Sequence, residues 1–363
     1  MLEIDGSQHS GSGSIVRLAA AYAALTSTPI HVVKARARRE PKPGLRRQHC
    51  VALEAARDLV GGTLEGAAVD SRELTFRPGD ETPAGEYCWD IGSAGSTTAL
   101  GLALVPLLAG RGRGVQVELR GGVFQDFAPS AFHLQQVVAP LLGRMGLGVE
   151  FRVERPGYVP TGQGVLRITV APAAPLKPLR LEEPGDVQRV WGIALASHLA
   201  ERQVSQRMAE AARQRLDQRR LDAALETEDD TTAAQPGAAF GIFAETSTGA
   251  LLGADGAGAP RRPAERIGRR AADELLDDLG SGATVDRHAA DQLLIFTALA
   301  DGRSVYRAPA ITDHVESAAW LATLFLHADV GLADDGTVTV TGRHPASIPD
   351  DLLDEAAGPT TSG

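Results

Sequence analysis

The chain is 363 residues long, 43% apolar but only 4% aromatic, with a formal net charge of -10; this predicts an aliphatic core and excludes a protein that coats nucleic acid indiscriminately, though not one that grips a nucleic-acid end locally. Two cysteines, Cys50 and Cys88, are too few for a disulfide framework or a thiolate metal site, no signal-peptide pattern opens the chain and no apolar run approaches a membrane span, so a reduced, cytoplasmic protein is expected. Lysine occurs only as Lys34, Lys42 and Lys177, which excludes a Gly-Lys-Ser/Thr phosphate loop and a Lys-x-Asp-Gly nucleotidyl-lysine motif.

Residues 1–79 read as strand, helix, strand, helix, strand, strand. The first strand ends at Ile4-Asp5-Gly6-Ser7, a Gly/Ser-rich loop opens a helix over Ile15–Leu25, and a strand follows at Ile30–Val33. Seven cationic residues then fall between positions 34 and 47. Pro41, Pro43 and Gly44 forbid helix or central strand there, so the stretch predicts a rigid arginine-studded loop leading into a helix over Gln48–Val60. Guanidinium forks beside helix-start amides suit phosphate; a solvated basic turn is the plainer alternative. Strands Thr63–Val69 and Glu73–Arg77 close the unit.

Residues 86–172 repeat the order. Strand Tyr87–Ile91 runs into Gly92-Ser-Ala-Gly-Ser96, then helix Thr97–Leu108, strand Gly114–Leu119, helix Ala131–Met145 and strands Gly148–Val153 and Gly164–Val170. Residues 282–342 read as a third copy: strand Ala283–Val285, helix Ala289–Ala300, strand Ser304–Arg307, helix Val315–His327, then strands Gly331–Ala333 and Thr337–Thr341. The expected fold is α/β, with three repeated βαβαββ-type units forming a pseudo-threefold domain from residues 1–181 and 283–343.

Between units two and three, residues 182–282 predict an inserted small α/β domain. Its strands are expected at Arg189–Leu195, near Leu221–Glu226 and at Ala238–Thr246, its helices at Glu201–Leu216 and Ala264–Leu279. Mobile loops are expected at Glu226–Gly237 and Gly253–Pro260. Residues 344–363, acidic and rich in Gly, Pro, Ser and Thr, predict a disordered tail.

The repeats place Gly6–Ser14, Gly92–Ser96 and residues 288–292 at equivalent first-helix starts. The basic loop, Ala128-Pro129-Ser130 and Ile311-Thr312-Asp313-His314 stand at second-helix starts. In such architectures ligands gather where several helix N-termini face one cleft. Of nine histidines, His314 sits at a helix mouth behind Thr312 or Asp313 as cap. A neutral imidazole there is a competent nucleophile towards phosphorus; a partly buried structural histidine is the alternative. No His-Glu-x-x-His or paired Cys/His spacing occurs, so a dedicated zinc site is not expected.

Several longer motifs run through the chain: Ile4-Asp-Gly-Ser7, Arg36 with Pro41-Lys-Pro-Gly-Leu45, Gln48-His49, Ser71-x-Glu-Leu-Thr-Phe-x-Pro-Gly79, Asp90-Ile-Gly-x-Ala-Gly-Ser96, Gly157-Tyr-x-Pro160, Ala200-Glu-Arg202 and His288-x-Ala-Asp-Gln292. Together they resemble the RNA 3'-terminal phosphate cyclase family over nearly the whole length. The resemblance implies ATP and a divalent metal, Mg2+ or Mn2+, as cofactors and an RNA bearing a 3'-phosphate as partner, with no membrane or DNA partner. It implies that ATP adenylates His314, that AMP passes to the RNA 3'-phosphate, and that the neighbouring 2'-hydroxyl then closes a 2',3'-cyclic phosphate. By resemblance His288, Ala289, Ala290, Asp291, Gln292 and Pro129 line the ATP site, and Arg17, Arg36, Arg39 and Gln48 hold phosphate and RNA; no metal ligand is assigned.

The chain departs from the family pattern at defined places. Ser10 stands where the family has a glutamate that helps hold the metal, Ser14 where it has a glutamine, and Leu102 where a glutamine near the nucleotide is expected. Asp313 replaces a serine before the histidine. A catalytically silent relative that binds RNA or assists assembly of RNA-protein complexes is therefore the alternative reading.

Overall fold

The computed structural model describes residues 1–172 and 174–342. The first unit contains β1 (Leu2–Asp5), α1 (Gly13–Thr26), β2 (Ile30–Val33), α2 (Arg47–Val60), β3 (Thr63–Glu65) and β4 (Leu74–Arg77). β1 runs parallel to β2, and β4 pairs antiparallel with both β2 and β3, giving the order β1-β2-β4-β3. The second unit contains β5 (Gly85–Asp90), α3 (Thr97–Arg111) and β6 (Val115–Gly121). A helical run follows from α4 (Ala131–His133) through a π turn (Leu134–Val138) into α5 (Ala139–Arg144), then β7 (Val149–Arg155) and β8 (Gly164–Val170). Its order, β5-β6-β8-β7, and its strand directions match those of the first sheet.

Residues 182–282 contain β9 (Val187–Ser197), a 3-10 turn (Ala200–Arg202), α6 (Val204–Asp217), β10 (Ala224–Asp230), β11 (Gly237–Thr246), β12 (Leu251–Ala257) and α7 (Ala264–Gly280). Two segments expected as mobile loops are strands in part. Glu226–Asp230 lies in β10, paired parallel with β9 at the sheet edge. An edge strand can keep acidic side chains in water while its backbone pairs on the other side, so its composition imitates a loop. Gly253–Ala257 lies in β12, where a Cβ on Gly253 would stand 2.7 Å from the Phe243 ring. That glycine marks close packing within a strand, not a turn.

The last part contains α8 (Ala289–Leu299), β13 (Gly302–Arg307), α9 (Asp313–Leu326), β14 (Asp329–Leu332) and β15 (Thr337–Gly342), with the order β13-β15-β14. The opening strand expected at 283–285 does not form; Val285 makes only an isolated bridge to Leu251. The parallel place beside β13 is held instead by Arg180, bridged to Val305. Leu181 N donates to Val305 O, and Val305 N to Leu179 O, each at 2.8 Å. The chain thus leaves for the insertion after this strand-like contact. Leu179-Arg180-Leu181 is too short to announce itself by periodicity. The acidic segment from His344 onward lies outside the described residues.

α1 and α3 are buried almost all round, as expected of helices apolar on every face. α1 packs against α2, α3 and α9, and α8 against α9 and α3. A second buried cluster, including Met208, Phe240, Ile242 and Leu275, lies between the β9–β12 sheet and helices α6 and α7. Among the described residues no helix is long and apolar enough to cross a membrane.

Candidate active site

α1 and α9 lie side by side with their starts together, and the basic loop folds across both. Ser12 caps α1, its Oγ accepting from Ser14 N at 3.3 Å, and Thr312 Oγ1 caps α9 by accepting from Val315 N at 3.3 Å. Gly13 lets α1 begin against α2, since a Cβ there would collide with the buried His49 imidazole. These caps put His314, second residue of α9, beside Ser14, second residue of α1. Ser14 Oγ is 3.3 Å from His314 Nδ1, and Arg39 Nη2 is 3.3 Å from His314 Nε2.

The loop before α1 is pinned from both sides. Arg38 Nη1 donates to His9 O at 2.5 Å, and His9 Nδ1 is 3.2 Å from Glu316 Oε2 on α9. The His9 and Trp320 ring centres are 5.7 Å apart. Beneath them is a row of hydroxyls: Ser14 Oγ to Ser12 Oγ at 2.7 Å, Ser12 to Ser10 at 3.1 Å, and Ser10 to Ser317 Oγ at 2.8 Å.

Burial holds the His314 imidazole below its ordinary range, and Arg39 and Arg17 push the same way while Asp313 resists. The ring is therefore neutral near pH 7 and keeps a lone pair for attack. Arg17, one turn into α1, is pulled down to about 10 by burial, with Asp291 opposing and Arg36 adding. Burial raises the Asp291 carboxyl to about 6, against His288, its own backbone contact, Gln292 and Arg17. Gln292 Nε2 donates to Asp291 Oδ2 at 2.8 Å.

His314, Arg39 and Arg17 are thus neighbours. Arg36 adjoins them, but its Nη1 donates to Lys42 O at 3.2 Å and Gly44 O at 2.5 Å, bracing the loop. Gln48 Oε1 accepts from Ser96 N at 2.9 Å, which joins α2 to the start of α3. His288 stands at the mouth of α8 with its backbone N donating to Asp286 Oδ1 at 2.8 Å. Ala289 and Ala290 are buried in the first turn of α8, and Ala290 O accepts from Tyr306 Oη at 2.7 Å. Pro129 precedes Ser130, whose N donates to Asp255 Oδ2 on β12 at 2.7 Å. Among the described residues no hydrogen bond or ion pair joins His288 or Pro129 to His314. Leu102 is 4% exposed and belongs to the core.

Among the described residues no three His, Cys, Asp or Glu side chains come together as metal ligands, and position 10 offers a neutral hydroxyl already engaged with two others. The donor set does not fit a resident divalent ion, which prefers several charged oxygens.

Sequence reasoning misses a second polar centre. His133 Nε2 lies 3.0 and 2.9 Å from the two Asp286 oxygens, and both side chains are 0% exposed. Asp286 also accepts from Gly253 N at 2.9 Å and from His288 N and Ala289 N at 2.8 Å. It thereby ties the second unit's helical run, α8 and β12 together. His133 sits in an apolar helix that gave no signal; Asp286 was legible only as a position two residues before His288.

Comparison with known proteins shows which family the chain resembles. A family model described as RNA 3'-terminal phosphate cyclase matches residues 8–332. Proteins described as RNA 3'-terminal phosphate cyclase are similar over most of their length. The one from Caldivirga maquilingensis is 36% identical over 339 residues, covering 91% of this chain and 94% of the relative. The one from Methanopyrus kandleri is 37% identical over 341 residues, with 91% and 94% covered. The one from Pyrococcus furiosus is 34% identical over 348 residues, with 94% and 99% covered.

Proposed function

The chain belongs to the RNA 3'-terminal phosphate cyclase family, and from that premise we propose that it converts an RNA 3'-phosphate into a 2',3'-cyclic phosphate using ATP, with His314 as the nucleotide carrier. The observation that carries this reading is a neutral imidazole at the mouth of α9, flanked by Arg39 and Arg17. An imidazole nitrogen attacks the α-phosphorus of ATP; a P–N bond forms and the P–O bond to pyrophosphate breaks. An oxygen of the RNA 3'-phosphate next attacks the same phosphorus, breaking the P–N bond. The 2'-hydroxyl then attacks the 3'-phosphorus and expels AMP. Arg39 and Arg17 stand where they offset charge on the transferring phosphate. His288, Asp291, Gln292 and Pro129 belong in this proposal to the nucleotide side, and Arg36 and Gln48 to the scaffold that presents Arg39. We further assign residues 182–282 as a separate small domain, and the remaining sheets as three forms of one unit.

The test is incubation of ATP with an RNA carrying a labelled 3'-phosphate. The expected outcome is a 3' end that becomes resistant to phosphatase, with AMP and pyrophosphate released in equal amounts. A 3'-phosphate that stays phosphatase-sensitive, on RNA the protein nonetheless binds, contradicts the proposal. It would favour the silent RNA-binding reading, to which Ser10, Ser14 and Leu102 point.

A further inference from the structure

We propose that Ser14, Ser12, Ser10 and Ser317 form a hydroxyl circuit that holds His314 as its Nδ1–H tautomer, with the Nε2 lone pair presented beside Arg39. The importance of the tautomer rests on the reading of His314 as nucleotide carrier; the circuit itself rests on donor counting.

A guanidinium has donors only, so the nitrogen facing Arg39 at 3.3 Å must present a lone pair. A neutral imidazole carries one proton, which therefore sits on Nδ1 and is donated to Ser14 Oγ at 3.3 Å. At the far end Ser317 Oγ lies 2.7 Å from Asp313 O and 2.8 Å from Ser10 Oγ. In both contacts Ser317 Oγ is the donor, sharing its one proton between Asp313 O and Ser10 Oγ, so Ser10 Oγ accepts. At the near end Ser14 Oγ, having accepted from Nδ1, turns its own proton to Ser12 Oγ at 2.7 Å, and Ser12 turns its proton to Ser10 at 3.1 Å. The row thus converges from both ends on Ser10 Oγ, and Ser317 also reaches the carbonyl of Asp313, the residue next to His314. Ser14 N and Ser10 N approach Ser12 Oγ and Ser317 Oγ at 3.3 and 3.2 Å, using the lone pairs left over. The opposite tautomer would set an Nε2–H against the Arg39 N–H.

The row holds hydroxyls and a carbonyl but no base, so it cannot drain a proton. When Nε2 forms its bond to phosphorus, the ring keeps Nδ1–H and the positive charge. It is then a better leaving group when the RNA phosphate takes the nucleotide and the electron pair returns to Nε2. Serine at positions 10 and 14 is thus a positioning device of this chain's own.

The tautomer is read by nitrogen-15 NMR of histidine-labelled protein near pH 7.5, without ATP. Wild type is expected to show His314 with Nδ1 protonated and Nε2 bare. Ser14→Ala should convert it to a mixture containing the Nε2–H form, and Ser14→Thr should restore the single form. Adduct formation from labelled ATP should slow by about 10- to 100-fold in Ser14→Ala with its KM for ATP held, the range typical of removing a group that orients a histidine. An Nε2–H tautomer in wild type, or one unmoved in Ser14→Ala, overturns the circuit whatever the activity. The expected tautomers with no adduct in any preparation leave the circuit standing and overturn the nucleotide-carrier reading instead.

Discussion

His314→Ala should abolish transfer of AMP from ATP to the protein and lower cyclisation by about 1000-fold or more, since removing a covalent nucleophile leaves only binding and electrostatics. The loss should be chemical and not structural. His314 is half-buried on the first turn of α9, where alanine is a good helix former, and the Thr312 cap is untouched. Two side-chain hydrogen bonds disappear, to Ser14 and Arg39, at about 1 kcal/mol each. Unfolding by urea should therefore shift modestly while adduct formation vanishes. The pH dependence carries a further signature. Burial, Arg39 and Arg17 depress the imidazole, so the neutral nucleophile persists as pH falls through the ordinary histidine value of 6.5 and the adduct rate declines only below it. Arg39→Ala removes one of those cations and should move that acid limb upward. A rate that halves near the ordinary value would show that His314 is not held in this environment.

Asp286→Ala should be the most destabilising single replacement among the polar groups, by about 3–5 kcal/mol, because it leaves His133 buried without its counter-ion. Asp286 also accepts three backbone N–H groups, from Gly253, His288 and Ala289, and alanine can satisfy none of them. Burial alone would raise this carboxyl, yet His133 and the amide donors hold it down to about 2, below its ordinary 3.8. Its stabilisation is thus complete above 3.8 and is lost as pH falls towards 2. Burial alone would lower His133, but Asp286 raises it above 6.5. That contribution is complete below 6.5 and is lost as pH rises through the raised value. Wild type should therefore be most stable between these limits, and Asp286→Ala should flatten both flanks of a stability–pH curve measured with urea. A variant as stable as wild type at pH 5 would show that the pair does not hold the β9–β12 sheet against α8.

The same molecule shows where a sequence can be read and where it cannot. β2 and β8 form over Ile30–Val33 and Gly164–Val170, the residues their alternation marks, because one face of each sheet is buried and period two reports burial directly. α1 and α3 were equally plain, being apolar on all sides. The third unit's opening strand was assigned after the insertion, because Leu179-Arg180-Leu181 is three residues long and only tertiary pairing with Val305 distinguishes it. β10 was hidden by an edge that wets its acidic side chains. The candidate site is legible as His314 at a helix mouth beside an arginine-rich loop, and the structure brings His314, Arg39 and Arg17 together. Its hydrogen bonds were not, since Ser14 and His314 are separated by 300 residues, and no local pattern encodes a contact of that range.

The proposed transfer of AMP from ATP to His314 is checked by incubating wild-type protein with ATP and a divalent metal but no RNA, digesting at alkaline pH to preserve a phosphoramidate, and mapping the modified peptide by mass spectrometry. The predicted result is a single AMP adduct on His314, lost on brief acid treatment and discharged by RNA bearing a 3'-phosphate but not by RNA bearing a 3'-hydroxyl. An adduct on another residue, or none under any divalent metal, would contradict it.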